Sequence, residues 1–596
     1  MPLDFRNVNL LWSSLIVETL VKLGLENVVI CPGSRSSPLT VAFAENRGIN
    51  CIPILDERSA SFFALGLAKK NQKPAALVCT SGTAGANFFP AVIEAKYSHV
   101  PLIIFTADRP STLRNCHAGQ TINQVGLYGN YPSWQVELSE PSWELDKLFY
   151  LRQNIIYAWE KSQFPSGGVV HINVPFPEPL SPELQLEISP KKREYINEKL
   201  LSSFPNIPTQ YHYSSENLEA YLNTWKQTEK GIIIAGVDTH PSPGLYVKTV
   251  KFLSDILRFP VLSEALSPVR NYAHLNPHLV TNYDVILRHP KYAQDLLPHL
   301  VILFGEYPTS KQLRIWLESN KISTYIITES DDNFDALHSP SQHIRIRLET
   351  LCCFLEASQN QLKENWHYLK NSYLKTWLTL DKRLGITIGN QLRQIEETGE
   401  IFEGSIAFLM SQYLPPKTPV FIANSMPVRY AEFFWQKNNR EYRVYFNRGA
   451  NGIDGTLSTA LGIAYKEKKT TVLLTGDLAL LHDTNGFLIT PNFQGCLVIL
   501  LVNNNGGGIF EMLPIGQYKQ DVFENYFATP QSVNFQHLSQ SYNINYKSIS
   551  TLEHLRELLS NLPQNGIHLW EIKTDRKKDA RRLKNILSPE ETHKNN

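Results

Sequence analysis

The chain has 596 residues, 42% hydrophobic and 19% charged, with 57 Lys and Arg against 56 Asp and Glu, a net charge of +1. At roughly 150 residues per domain this length asks for three or four domains. The near-neutral balance removes the bulk electrostatic case for a nucleic acid or an anionic membrane as partner. The longest uninterrupted apolar run, Cys496 to Val502, is far short of the roughly 20 residues that cross a bilayer, so no integral membrane segment is expected. The opening MPLDFRNVNLLWSS lacks a basic start followed by an apolar core, and no secretory signal is predicted. Seven cysteines are scattered without a CxxC frame, which predicts reduced, mostly buried thiols of a cytoplasmic protein.

In chain order, short β-branched runs end in Gly, Ser, Asp or Asn and are separated by segments of helical length. The first group is VVICPGSRSSP, CIPILDERS, AALVCTSGTAG, PLIIFTADRP and VVHINVPFP; a second is GIIIAGVDTH, VILFGEYP and TYIITES; the last is VFIANSMPVR, TTVLLTGDLA, CLVILLVNNNGG and HLWEIKTD. Continuous apolar strands with polar exits are what a parallel sheet covered on both faces requires. The fold class is therefore α/β, with doubly wound parallel sheets. Polar, Pro- and Ser-containing sequence from Glu187 to about Glu229, and a strandless helical stretch from about Leu348 to Glu400, divide the chain into 1–186, 187–347 and 348–596. The C-terminal DRKKDARRLKNILSPEETHKNN is expected to be a solvated helix with a frayed end.

The third unit holds the strongest chemical signal. Gly476-Asp477 ends one apolar strand, and Asn503-Asn504-Asn505-Gly506 ends the next after one crossover; ligands of open α/β sheets bind at such strand ends. A carboxylate, an amide oxygen and a backbone carbonyl are hard donors that suit Mg²⁺ with substrate phosphate oxygens completing its shell. A helix expected after Asp477 would point N–H groups at a phosphate. The alternative is a helix-capping Asp477 and a turn of asparagines. No Walker A pattern is present, so an ATP site of the P-loop kind has no support.

Gly-Asp followed about 26 residues later by Asn-Asn resembles the thiamine diphosphate (ThDP) enzymes. The resemblance implies three domains, for pyrimidine, centre and diphosphate, and makes Asp477, Asn504 and the Gly506 carbonyl ligands of Mg²⁺, with Mn²⁺ able to substitute. Asn503 is then structural. The cofactor also needs a glutamate against its pyrimidine N1′ to drive it to the imino form. Glu57, where CIPIL runs into the helix SASFFALGLAKK, stands at the family's position; alone, it would read as a first-turn glutamate favouring the helix dipole. TSGTAGAN, Thr80 to Asn87, is similar to the family's pyrimidine-domain loop. The same resemblance puts Ser81, Gly82, Gly476 and Leu478 against the cofactor, and makes Ile453 in NRGANGIDG the wedge that bends it; an ordinary buried isoleucine is the alternative. The glycines of that segment are spaced GxxGxxG rather than GxGxxG, a poor dinucleotide fingerprint. In this family the cofactor bridges two subunits, which implies a homodimer at least and commonly a homotetramer.

Arg35 in CPGSRSSP, Arg109 in TADRP, Arg429 in NSMPVR and Arg448 in NRGANGIDG each follow a strand, where a guanidinium suits bidentate carboxylate recognition. With DERSASFFALGLAK, TSGTAGAN, GDLALLHD and NNNGGGIFEMLP, these segments closely resemble the ThDP-dependent synthases of 2-succinyl-5-enolpyruvyl-6-hydroxy-3-cyclohexene-1-carboxylate (SEPHCHC) in menaquinone and phylloquinone biosynthesis. That resemblance implies decarboxylation of 2-oxoglutarate and 1,4-addition of the succinyl unit to isochorismate. It implies that Ser425, Arg429 and Arg448 hold the distal carboxylate of the succinyl fragment. Ser34, Arg35, Arg109, Gln120 and Lys311 would hold isochorismate, and Ile509, Phe510 and Leu513 would form an apolar wall. Two departures touch the isochorismate half: Gly119 stands where the family often has Asn, and Gln312 where a Lys-Arg pair is common. The competing readings are another 2-oxo acid carboligase or decarboxylase, acetohydroxyacid synthase-like, and a non-catalytic α/β scaffold. The middle unit carries no chemical motif; packing and the Lys311 contact are all that is expected of it.

Overall fold

The computed structural model describes residues 3–185, 189–201, 215–238, 240, 242–362 and 372–588. Three six-stranded sheets, all with parallel pairing, organise them. The first contains β1 (Asn27–Ile30), β2 (Asn50–Pro53), β3 (Ala75–Cys79), β4 (Leu102–Asp108), β5 (Trp134–Glu137) and β6 (Val169–Pro175), in the order β2-β1-β3-β4-β6-β5. The second contains β7 (Gly231–Ala235), β8 (Val261–Ser263), β9 (Leu279–Val280), β10 (Leu300–Phe304), β11 (Ser323–Thr328) and β12 (Ser341–Arg345), in the order β12-β11-β10-β7-β8-β9. The third contains β13 (Pro419–Ile422), β14 (Arg443–Tyr445), β15 (Thr471–Gly476), β16 (Cys496–Asn503), β17 (Asn545–Ile549) and β18 (Gly566–Lys573), in the order β14-β13-β15-β16-β18-β17. Helices on both faces bury the central strands completely, which is why those strands read as unbroken apolar runs.

Numbered within themselves, the first and third sheets share one strand order, and the middle sheet has the dinucleotide-fold order instead. In the first sheet the chain moves outward from β1 to β2 and then returns to place β3 on the other side of β1. The third sheet repeats this with β13, β14 and β15. Each reversal opens a crevice at the C-terminal ends of the two inner strands, the ligand position of such sheets. The equivalent crevice of the middle sheet, between β7 and β10, is stitched by two backbone hydrogen bonds, Val237 N–H to Glu306 O and Glu306 N–H to Val237 O, both 3.1 Å.

The chain forms two compact units. One gathers residues 1–209, 447–467 and 479–495, around a core that includes Trp12, Phe43, Val78, Phe105 and Ile172. The other gathers residues 210–446, 468–478 and 496–596, with cores on both faces of the middle sheet and a third around Phe402, Phe434, Leu474, Leu500 and Trp570. In this second unit Arg270, almost fully buried, joins the middle and third sheets. It donates to the carbonyls of Ser263 (2.8 Å), Glu432 (2.9 Å) and Trp435 (3.1 Å) and pairs with the Glu432 carboxylate at 3.2 Å.

The polar stretch after residue 187 is helical where described, over Pro190–Leu201 and Ser215–Lys226; residues 187–188 and 202–214 lie outside the described residues. The strandless stretch after 348 forms the helices Leu348–Leu362 and Ser372–Glu397. All seven cysteines are free thiols, with Cys116 and Cys353 exposed. No helix among the described residues is long and apolar enough to cross a membrane.

Candidate active site

The crevice of the third sheet is built from oxygen donors. Asp477 is the first residue after β15 and starts a five-residue helix, Asp477–Leu481. This is one turn, not the longer helix expected from LALLHDTNGFLIT, because the chain continues into the 3₁₀ segment Thr484–Asn492. The Asp477 carboxylate is buried and accepts the Gly506 N–H at 2.8 Å, which ties the exit of β15 to the exit of β16. Burial is the main cause that pushes its pKa up to about 6, opposed by the Gly506 and Leu478 amides.

Gly506 has φ +132°, and a Cβ there would meet the Ala528 carbonyl at 2.3 Å, so only glycine fits the turn. Asn504 donates its amide N–H to Glu403 Oε1 at 2.8 Å, and its Oδ1 is buried with no hydrogen-bond partner among the described residues. A buried amide oxygen without a donor is costly. Beside a carboxylate and the exposed end of a strand, it is what a small hard cation would satisfy, so the residues present fit Mg²⁺ and a diphosphate.

Glu403, buried at the start of the helix Glu403–Tyr413, also accepts from Thr574 Oγ1 at 3.0 Å. Burial raises its pKa to about 7, against the hydrogen bonds from Asn504 and Thr574. Asp579 is raised to about 8, by burial first and the neighbouring Glu403 second, and accepts the Glu403 N–H at 3.3 Å. Asp579 belongs to the helix Arg576–Leu587, whose Ala580, Leu583, Ile586 and Leu587 are buried. This corrects the expectation of a solvated tail: the segment packs beneath the asparagine loop. Arg576 donates to the Asn505 carbonyl at 2.8 Å and pairs with Glu511 at 3.1 Å and with Glu524. Residues 589–596 lie outside the described residues.

In the same unit, Ser425 precedes the helix Met426–Phe434 with φ +72° and makes no side-chain capping bond, and Arg429 Nη1 donates to the Ser425 carbonyl at 2.6 Å. Glu432, one turn further on, takes part in the Arg270 network, so Arg429 stands on a fixed helix. Ile509 packs on the core, Phe510 lies edge-on to Phe527 with ring centroids 5.7 Å apart, and Leu513 remains 44% exposed. Lys311 opens the helix Lys311–Asn320 and is exposed, while the Gln312 amide donates to Leu287 O at 3.1 Å.

The other unit carries the remaining residues. Glu57 begins the helix Glu57–Asn71, capped by Asp56, whose carboxylate accepts from Ser59 N–H at 2.9 Å and from Asn485 Nδ2 at 2.9 Å. Its charge is felt at the buried Cys31 and Cys79 thiols, whose pKa values are raised by burial first and Glu57 among the lesser causes. The crevice between β1 and β3 brings together Ser34-Arg35 and Thr80-Ser81-Gly82: Arg35 N–H donates to Thr80 Oγ1 at 3.2 Å. Arg109, directly after β4, donates to Ser81 Oγ and, at 2.7 Å, to the Gln120 carbonyl, and Gln120 Nε2 returns to Ser81 O at 3.0 Å. Burial lowers the Arg109 pKa, and the nearby Arg35 charge lowers it further. Arg35 Nη1 donates to the Phe176 carbonyl at 2.9 Å and pairs with Glu178 at 3.2 Å, while its buried Nε has no partner among the described residues, so that edge of the guanidinium can take an anion near Arg109. Gly119 is exposed with no atom within 4 Å of a built Cβ.

The loop with Arg448 and Ile453 is clamped by residues the motif reading missed. Buried Glu94 accepts the N–H groups of Gly449 (3.0 Å) and Ala450 (2.6 Å). Lys69, also buried, lies 3.6 Å from Glu94 and donates to Asn447 Oδ1 at 2.9 Å. Glu94, Glu403 and Asp579 carry no motif; the one sequence signal for Glu94 and Glu403 is an acid inside a largely apolar helical window, FPAVIEAKY and FEGSIAFLM, and Asp579, in the charged RKKDARRLKNIL, has none.

Comparison with known proteins finds matches along most of the chain. Residues 12–127 match the model described as the N-terminal TPP binding domain of thiamine pyrophosphate enzymes, residues 197–422 the middle domain, and residues 425–569 the C-terminal TPP binding domain. The SEPHCHC synthase of Gloeothece citriformis is 55% identical over 592 residues, 99% of each chain. That of Rippkaea orientalis is 53% identical over 99% of this chain and 97% of its own, and that of Crocosphaera subtropica 52% over 97% of both. The chain belongs to the SEPHCHC synthase family of ThDP enzymes. The N-terminal match covers β1 to β4 of the first sheet, the middle match covers the whole second sheet together with β13, and the C-terminal match runs from β14 to the start of β18, so the family's TPP-binding domains lie in the first and third sheets, the two that share a strand order.

Proposed function

We propose that this chain decarboxylates 2-oxoglutarate and adds the succinyl unit in 1,4 fashion to isochorismate, giving SEPHCHC and CO₂. Arg109, anchored on Ser81 and Gln120 with the Arg35 charge close by, carries the reading, because an enzyme for small, singly charged 2-oxo acids has no need of two such cations. ThDP, when bound, supplies the electron sink for loss of CO₂. Asp477, Asn504 and the Gly506 carbonyl hold Mg²⁺ or Mn²⁺, and Ser81, Gly82, Ile453, Gly476 and Leu478 line the cofactor. Glu57 holds and returns the proton at the pyrimidine N1′. Ser425, Arg429 and Arg448 take the distal carboxylate of 2-oxoglutarate, while Ser34, Arg35, Arg109, Gln120 and Lys311 take isochorismate. Ile509, Phe510 and Leu513 keep water from the reacting carbon.

The domain limits 1–186, 187–347 and 348–596, a homodimer or homotetramer as the working form, and a cytoplasmic location belong to the same reading. The test is a product assay with ThDP, Mg²⁺, 2-oxoglutarate and isochorismate, with pyruvate as competitor. SEPHCHC and CO₂ are expected in equal amounts; consumption of pyruvate with isochorismate untouched would overturn the assignment.

A further inference from the structure

A side-chain amide presents an oxygen on one side and an NH₂ on the other, and the two orientations differ by a half-turn. At Asn504 the choice decides whether a neighbouring cation meets a negative oxygen or the positive end of the amide dipole. The nearest fixed group is Glu403, whose Oε1 accepts the Asn504 N–H at 2.8 Å and so turns Oδ1, buried and without a partner among the described residues, the other way. Glu403 is itself aimed, since the same oxygen accepts from Thr574 Oγ1 at 3.0 Å and its backbone N–H is held by Asp579 at 3.3 Å. With Oε1 already accepting from both Asn504 Nδ2 and Thr574 Oγ1, that oxygen presents no proton to the amide and admits one orientation of it, whereas an apolar neighbour admits both. We propose that Glu403 is a positioning residue of the metal site, locking the Asn504 amide so that its oxygen faces the cation. Thr574 aims Glu403 in turn.

This rests on the reading of Asp477, Asn504 and Gly506 as cation ligands, and one titration separates the two. Mn²⁺ is titrated into the full-length chain at saturating ThDP, with free Mn²⁺ followed by electron paramagnetic resonance. Glu403→Met, of similar length but without an acceptor, is expected to raise the Mn²⁺ Kd about 10- to 100-fold, the usual effect of losing a group behind a metal ligand. Glu403→Gln, whose Oε1 can still accept from Asn504, should stay within about threefold of wild type, and Thr574→Val should cost about two- to fivefold. Binding by a folded Glu403→Met within about threefold of wild type, or equal losses in the Gln and Met variants, would overturn the positioning role. Should Glu403→Met not fold, Thr574→Val decides, and an unchanged Kd there refutes the proposal. Asp477→Ala is the control: if it keeps full Mn²⁺ affinity the ligand assignment itself is wrong, and if it alone loses affinity only the role of Glu403 fails.

Discussion

Glu94→Gln isolates how the Arg448 loop is held. Glu94 uses both carboxylate oxygens, one on the Gly449 N–H and the other on the Ala450 N–H, and it also accepts from Ser98 Oγ at 2.6 Å. Glutamine keeps one acceptor and turns an NH₂ toward the second backbone N–H, and an orphaned buried donor costs about 1–3 kcal/mol. Lys69, 5% exposed, loses the negative charge of Glu94 3.6 Å away, while its bond to Asn447 is untouched. Removing one member of a buried ion pair costs about 3–5 kcal/mol, and the surviving Asn447 contact places the combined loss near that range rather than above it.

The loop can relieve this strain only by moving, and a shift of about 1 Å in a substrate-positioning group can cost on the order of 100-fold in rate. A melting temperature lowered by several degrees is therefore expected in a thermal scan, with kcat/KM for 2-oxoglutarate down by about 10- to 100-fold. Adding Lys69→Met should recover part of the stability, because the buried charge beside position 94 is gone. An unchanged melting temperature with kcat/KM within about twofold of wild type would refute the clamp.

Glu57→Gln should bind ThDP, read by calorimetry, yet lose about 10²- to 10⁴-fold in turnover, the scale of a missing proton-transfer group; full activity would remove Glu57 from the mechanism. Asp477, held up at about pKa 6, must be ionised to bind metal, so Mg²⁺ affinity should be flat above about pH 7 and fall about tenfold per unit well below pH 6. In the metal-free chain the sign reverses: a folded pKa above the unfolded value means that protonating Asp477 favours the fold as pH drops through 6. A Mg²⁺ titration from pH 5 to 8 that shows no slope refutes the assignment. Gly66→Ala would place a Cβ 2.1 Å from the Thr459 carbonyl and 3.1 Å from Gly462 Cα. The overpacking cost of about 1–3 kcal/mol exceeds or matches the gain of about 1 kcal/mol from alanine's helix propensity. Lower thermal stability and turnover are expected, since Glu57 opens that helix; a wild-type melting curve would contradict the close crossing.

Twelve of the strands stand out in the sequence, most of them because their residues are buried on both faces or nearly so, as in β3, β4, β7, β10 and β16; β2, an edge strand with only Ile52 buried, stands out by the apolar run CIPIL. The six that do not are β5, β8, β9, β12, β14 and β17. Four of them are edge or half-exposed, with patterns such as intermediate-exposed in β5 and mostly exposed in β17, and β8 and β9 are only three and two residues long. Short or half-wet strands lack the apolar run that signals a covered sheet. The chemistry at strand ends is legible for a related reason: Arg35, Asp477 and Asn504 follow largely buried strands and each lies within two residues of a glycine. Glu94, Glu403 and Asp579 are not, because each reaches the site from the flank of a helix through a partner far away in sequence. No spacing rule exists for such contacts; only folding brings Glu403 to Asn504, 101 positions on.

The shared strand order of the first and third sheets has a consequence for how such a catalyst can diversify. One crevice geometry is used twice with different side chains, guanidiniums and hydroxyls in the first and hard oxygen donors in the third. Acceptor choice and metal dependence are thereby written in stretches of sequence some 400 residues apart. Mutation can explore one while selection holds the other constant, so new acceptors are reachable without loss of the cofactor chemistry.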